Sequence, residues 1–327
     1  MNTLSKTAPK AAPKIALGTW SWGAGFAGGD QVFGNHLSEA QMQAVFDAAT
    51  EAGLNLWDTA AVYGMGSSET ALGAQIRRHL QNHRRDSLLI STKFTPQIAD
   101  AQSATPVADM LAQSCERLGT DDVDLYWVHN PTDVNRWTNQ FVPLLKSGKI
   151  KGFGVSNHNL EQIKLVNDTL AQAGCRIAAV QNHYSLLYRA SEHAGILDYC
   201  QANGISFFAY MVLEQGALSG RYNSQNPLPE GSGRAESYNK VLPQLQTLTD
   251  AMQQIGARHQ ANAAQIAIAW AIAKGTLPLI GATKPHHVTD AAAAATIVLT
   301  TEEIATLERL AEQTGVDTKG AWEPEMV

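Results

Sequence analysis

VDLYWVH, residues 123–129, is a short apolar run, rich in β-branched and aromatic residues, that closes on a histidine. Its length and composition are those of a buried strand. Upstream, LLISTK (88–93) and LNLWDT (54–59) repeat the pattern and end at Lys93 and at Asp58 with Thr59. Runs of the same kind stand at Ile15–Trp20, Ile150–Ser156, Ile177–Gln181, Ile205–Tyr210 and Leu277–Gly281, which makes eight. Helix-like segments separate them. Ser38–Ala52 opens on a capping-box pair, Ser38 and Gln41, and stops at Gly53, while Val107–Leu118 stops at Gly119. Each is long enough for the right-handed crossover that joins parallel strands.

Eight such alternations predict a closed (β/α)8 barrel in a single domain, because open doubly wound sheets usually have fewer strands. The glycine-rich stretch at the end of the first run, GTWSWGAGFAGG (18–29), is read as lacking the spacing of a dinucleotide fingerprint. In a barrel the chemistry belongs at the C-terminal ends of the strands. An insertion separates the seventh and eighth runs: Arg221–Arg234 reads as a surface loop, Lys240–Ala257 and Ala261–Ala273 as helices. A last helix is expected over Thr301–Gln313. The expected division is a flexible lead over 1–14, a barrel over 15–315 and a C-terminal tail over 316–327.

Of the 327 residues 44% are hydrophobic and 17% charged, which supplies a large core and no compositional sign of disorder. The net charge of -6 argues against a nucleic-acid partner. One basic cluster, Arg77, Arg78, Arg84 and Arg85, reads as a solvated helix end that complements the dipole. Cys115, Cys175 and Cys200 are odd in number and form no CxxC, which fits a reducing compartment. No stretch reaches the roughly 18 apolar residues of a membrane span, and MNTLSKTAPKAAPK (1–14) has no apolar signal core, so the expected location is the cytoplasm.

The strand ends make a chemically coherent set. Asp58 ends the second run with Tyr63 five residues on, Lys93 ends the third and His129 the fourth. A tyrosine hydroxyl, with a pKa near ~10, is a poor acid at neutral pH unless a neighbouring ammonium lowers that value. Lys93 is expected to do so, Asp58 to keep the ammonium charged and placed, and His129 to donate a hydrogen bond to an oxygen that gains charge. Any one of these residues has an ordinary structural reading. Four on three consecutive strand ends are harder to explain by packing. No G-x-S-x-G or H-E-x-x-H competes with them, and His79 with His83 has no evident third ligand, so no metal site is expected.

The segment NLWDTAAVYGMGSSETALG (55–73) closely resembles the central motif of the aldo-keto reductase family. The resemblance continues through STKF (91–94), DLYWVHNP (124–131), GFGVSNH (152–158), VQNHYS (180–185), AYMVLEQGALSGRY (209–222) and IGATKP (280–285), and covers most of 14–314. It implies an NADPH-dependent reductase with a catalytic tetrad at Asp58, Tyr63, Lys93 and His129. It implies further that Ser156, Asn157 and Gln181 hold the nicotinamide carboxamide, that Tyr210 stacks on its ring, and that Gly18, Thr19 and Trp20 lie alongside. Leu213, Gln215, Gly216, Leu218 and Arg221 would line the pyrophosphate, and Gly281, Thr283, Lys284, His287 and Asp290 the adenosine end. There the motif departs from the family: His287 stands where Gln or Arg is common and Ala291 where Asn is, which leaves NADH open as a second cofactor. Met211 and Val212 likewise replace a usual Ser-Pro. Trp20, Trp22, Trp127 and Asn130 are the expected substrate pocket, for a small aldehyde, sugar or pyridoxal-like carbonyl. The alternative the resemblance raises is a regulatory subunit like the potassium-channel beta subunits. Oligomeric state is left open.

Overall fold

The computed structural model describes residues 13–326, so most of the expected 1–14 lead lies outside it. Eight parallel strands close into one barrel: β1 (Ala16–Gly18), β2 (Leu56–Asp58), β3 (Leu89–Phe94), β4 (Val123–Val128), β5 (Ile150–Ser156), β6 (Ala179–His183), β7 (Ser206–Tyr210) and β8 (Leu277–Gly281). Closure is by β1 on β8, with Leu17 opposite Ile280. The expected fold is the one found, with β5 and β8 at their expected limits and the others shifted by one or two residues.

Two apolar layers follow from the alternation of side chains along each strand. The inward layer is Ala16, Leu56, Leu125, Trp127, Ala179 and Phe208, and the outward layer packs strand residues such as Tyr126 and Phe153 against helix residues such as Phe46, Ile76, Phe141 and Trp270. Trp127 fills the barrel and meets Phe208 edge-on at 5.1 Å. Its partner across the β4–β5 register is Gly154, where a Cβ would come within 2.2 Å of the indole. Glycine there makes room for the tryptophan.

The helix Glu39–Glu51 is capped as expected, Ser38 and Gln41 each bonding the other's backbone. The loop read over Arg221–Arg234 runs into a short helix, Gly233–Tyr238, ahead of Leu242–Arg258 and Ala263–Ala273. Three expectations are corrected. The spacing G-x-G-x-x-G is present after all, as GAGFAG at 23–28, but it lies in a loop five residues beyond β1 and leads into a five-residue helix, Gly29–Phe33, on a closed barrel. Nor are the four arginines all a solvated helix end. Arg77 and Arg78 sit in the last turn of Ser67–Leu80, whereas Arg85, beyond it, pairs with Asp122 at 3.0 Å and Asp124 at 2.8 Å at the entry to β4. Finally, the chain after Thr301–Gln313 does not trail away, since Glu323 and Met326 are buried against the barrel mouth. Among the described residues no helix is long and apolar enough to cross a membrane.

Candidate active site

Asp58 and Lys93 occupy adjacent strands and point inward just above Trp127. Both are buried, and the Lys93 ammonium donates to Asp58 Oδ1 and, at 2.9 Å, to the Thr59 carbonyl. Asp58 Oδ2 accepts from Ser91 Oγ at 2.6 Å and from Gln181 Nε2 at 3.3 Å. Trp127 Nε1 donates to the same Ser91 hydroxyl oxygen at 2.5 Å, so the barrel plug also braces the carboxylate. A buried charge pair persists only when its remaining hydrogen-bonding positions are filled, and here they are.

Tyr63 enters from a tight turn after β2. Residues 64–66 all adopt positive φ, and at Gly64 a Cβ would meet Ser67 Oγ at 2.0 Å and the Ala24 carbonyl at 2.6 Å. Only glycine lets the turn seat itself there. The Lys93 nitrogen lies 5.0 Å from the Tyr63 ring centroid, Trp20 stacks on the other side at 5.5 Å, and His129 meets the ring edge-on at 5.6 Å. His129 Nδ1 lies 2.9 Å from Thr95 Oγ1, an arrangement that orients the imidazole. Burial, then the Lys93 charge, pushes His129 well below its ordinary value, so it is neutral. Burial favours the uncharged form of Lys93, yet Asp58 and Tyr63 overcome it and hold the ammonium above its usual range. For Tyr63 the outcome differs from the expectation. Burial raises its pKa, Lys93 lowers it, Asp58 raises it again, and the balance lies above 10. Lys93 offsets burial without reversing it, and Tyr63 retains its proton at neutral pH.

Beside this cluster, Asn157 (φ 62) donates to the His129 carbonyl at 3.0 Å and accepts from the Tyr210 hydroxyl at 2.6 Å, with Ser156 Oγ 3.3 Å from its amide. Asn130 lies 3.5 Å from the same amide, at the rim. Thr19, just past the end of β1, is wholly buried and bonded to Ser68, and Leu218 is wholly buried in the core. Gly18 lies against Leu279, one strand over. In the loop after β7, Gln215 and Gly216 take φ of 52° and 108° next to half-buried Leu213. Arg234 reaches over to the Gln215 carbonyl at 3.3 Å. Two buried polar atoms there, Gln215 Oε1 and Arg234 Nε, have no hydrogen-bond partner among the described residues. After β8, Gly281 opens onto free space and Lys284 caps the helix Pro285–Ala294. His287, half-buried, is depressed to about 4 by burial and by the His286, Lys284 and Arg221 charges. Asp290 accepts from Asn262 at 3.0 Å, and Ala291 faces the core.

Two of the four expected pocket residues are corrected. Trp22 is buried in the outer layer, its indole donating to the Ala282 carbonyl at 2.9 Å, and Trp127 is the barrel plug, so neither has surface at the mouth. Trp20 and Asn130 keep rim positions. Ser91, Arg234 and His183 were missed. Ser91 could have been found, because it precedes Lys93 by two residues and so shares its face of the strand.

Barrel and mouth together define a (β/α)8 enzyme scaffold that seats a protonated tyrosine against a buried lysine–aspartate pair. The Aldo/keto reductase family model matches residues 14–312. Pyridoxal reductase, chloroplastic, from Arabidopsis thaliana is 30% identical over 94% of this chain and 86% of its own. L-glyceraldehyde 3-phosphate reductase of Escherichia coli O157:H7 is 27% identical over 91% of this chain and 88% of its own. A solved aldo-keto reductase from Klebsiella pneumoniae in complex with NADPH superposes with a TM-score of 0.71 at 28% identity, covering 92% of this chain and 91% of that one. The chain belongs to the aldo/keto reductase family.

Proposed function

We propose that this protein reduces an aldehyde or ketone to the alcohol with NADPH, Tyr63 supplying the proton. The observation that carries the reading is Tyr63 itself, protonated at neutral pH and enclosed by Lys93, Trp20 and His129. NADPH, when bound, supplies hydride to the carbonyl carbon. The carbonyl oxygen takes the Tyr63 proton as its charge develops, and the phenolate left behind is compensated by the Lys93 ammonium, which Asp58 holds in place. Neutral His129, oriented by Thr95, donates a hydrogen bond to that oxygen. The same groups serve alcohol oxidation in reverse.

The residues present fit the cofactor. The unpartnered Gln215 and Arg234 atoms border the loop that would take the pyrophosphate together with Arg221, and Lys284, beside neutral His287, would supply the positive charge for a 2′-phosphate. Ser156, Asn157 and Gln181 would hold the carboxamide and Tyr210 would stack on the ring, with Thr283 and Gly281 at the adenosine end. The NADPH complex of the Klebsiella relative supports this. For the carbonyl, likeness to a pyridoxal reductase supports putting pyridoxal first in a panel with small aldehydes and sugars. The site works in the cytoplasm, which the free thiols of Cys115, Cys175 and Cys200 support.

Assaying the panel for NADPH oxidation tests the reading. Tyr63→Phe is expected to lower kcat by about 10²- to 10⁴-fold with NADPH binding retained. Turnover equal to wild type in that variant would remove Tyr63 from the mechanism.

A further inference from the structure

His183 ends β6 directly opposite Tyr210 in the β6–β7 register, and its ring lies between two others: Tyr188 at 4.4 Å and Tyr210 at 5.5 Å, both at 22°. Its two nitrogens face two buried carboxylates, Nε2 to Glu214 at 3.0 Å and Nδ1 to Glu323 at 2.9 Å. Carboxylates on both sides require both nitrogens to donate, so the ring is an imidazolium locked in orientation. Glu214 belongs to the loop after β7, but Glu323 lies 140 residues from His183, in the C-terminal segment. That segment is anchored again by Thr318 on Glu214 at 3.0 Å, and it turns on itself where the Gly320 amide donates to Glu323 at 3.1 Å. Next to Glu323, Trp322 donates its indole N–H to the Tyr210 hydroxyl at 3.3 Å. The same hydroxyl donates to Asn157.

We propose that Glu323 and Trp322 are positioning residues that set the Tyr210 ring, Glu323 through the His183 face and Trp322 through the hydroxyl, so that the C-terminal segment preorganises the nicotinamide half of the cofactor site. The inference rests on Tyr210 receiving the nicotinamide in the function proposed above. A platform held from behind and at its edge loses less freedom when a ring stacks on its open face. Neither residue touches the reacting atoms, and the adenosine end is assigned to the loop after β8, which carries none of these contacts, so the effect is local to one half of the ligand.

The test compares two ligands by fluorescence titration: NADPH and adenosine 2′,5′-bisphosphate, which carries the 2′-phosphate and no nicotinamide. Glu323→Gln keeps the side chain's size and removes its charge; Trp322→Phe, at a half-exposed position, keeps a ring and removes the donor. Each is expected to weaken NADPH by about three- to tenfold, the scale of one hydrogen bond to a polar or charged group, and to leave the bisphosphate unchanged. Equal loss for both ligands would make the segment a general structural support and overturn the inference, as would no loss for either. Trp322→Phe secures the result if Glu323→Gln fails to fold. Tyr210→Ala separates the two levels of the argument: if it leaves NADPH affinity untouched, the placement of the nicotinamide fails and the inference with it. If it weakens NADPH while the other variants do not, the inference alone fails.

Discussion

On opposite sides of the mouth, the protein buries a cation twice, once against one carboxylate and once between two, and the two clusters are built in different ways. Lys93 meets Asp58 across neighbouring strands, with Ser91 and Trp127 completing the cage from β3 and β4. His183 meets Glu214 from the next loop and Glu323 from the far end of the chain. In the first, barrel closure delivers every partner, because the register places Asp58 opposite Ser91 and Lys93 opposite Trp127. The second is complete only when a segment without regular structure docks. A strand-built site is as stable as the sheet, whereas one that depends on a docked terminus opens with the terminus.

Removing the cation from the strand-built cluster is the most severe test of that contrast. Lys93→Met leaves Asp58 buried without its counter-charge, and the expected result is loss of turnover together with about 3–5 kcal/mol of stability by denaturant titration. A variant that keeps wild-type stability would show that the cage relaxes, and the contrast with the docked cluster would weaken.

The docked cluster is opened by pH. Burial opposes the charge on His183, but Glu214 and Glu323 raise it to about 9 from 6.5, with Tyr188 and Tyr210 on its faces and Tyr238 bonded to Glu214. A raised folded-state value means the stabilisation is whole below pH 6.5 and is lost as pH climbs through about 9. The full amount is on the order of 3 kcal/mol. Thermal unfolding across that window, or amide exchange in 316–326, should show the loss in wild type and a smaller one in Glu323→Gln, which leaves Glu214 facing the ring. An unchanged slope in the variant would assign the loss to another group.

A smaller effect is expected on the strand side from Gly154→Ala, which presses on Trp127 and through it on Ser91 and Asp58. Destabilisation of about 1–3 kcal/mol should come with a fall in kcat, since the strain ends at the carboxylate. A stability loss with kcat intact would uncouple the plug from the site. Least of all, Lys284→Ala removes an exposed charge that the proposed function puts beside the 2′-phosphate. NADPH is expected to weaken by about fivefold and NADH hardly at all, on the scale of a solvent-screened pair; equal loss for both would place the 2′-phosphate elsewhere.

The same contrast explains what could be read in the sequence. Asp58, Lys93 and His129 were legible because side-chain alternation and strand ends are local properties, and a closed parallel barrel brings such ends to one rim. Trp22 and Trp127 were misplaced for the complementary reason. An aromatic residue near a strand end announces bulk, but the face it takes depends on what stands opposite, here Ala282 behind the barrel and Gly154 inside it. Tyr63 sits between these cases. Its position followed from the motif, while its proton affinity needed the depth of burial, which outweighs Lys93.

What the sequence by itself determined is therefore the eightfold alternation, the membership in the family and the identity of the four polar residues gathered at the mouth. All are encoded in short-range periodicity and motif spacing. The tertiary structure alone decided that Trp127 is a plug, that Tyr63 keeps its proton, and that Glu323 returns to His183. Burial and contacts across 140 residues are properties of the closed chain, set by which surfaces meet once the barrel has formed.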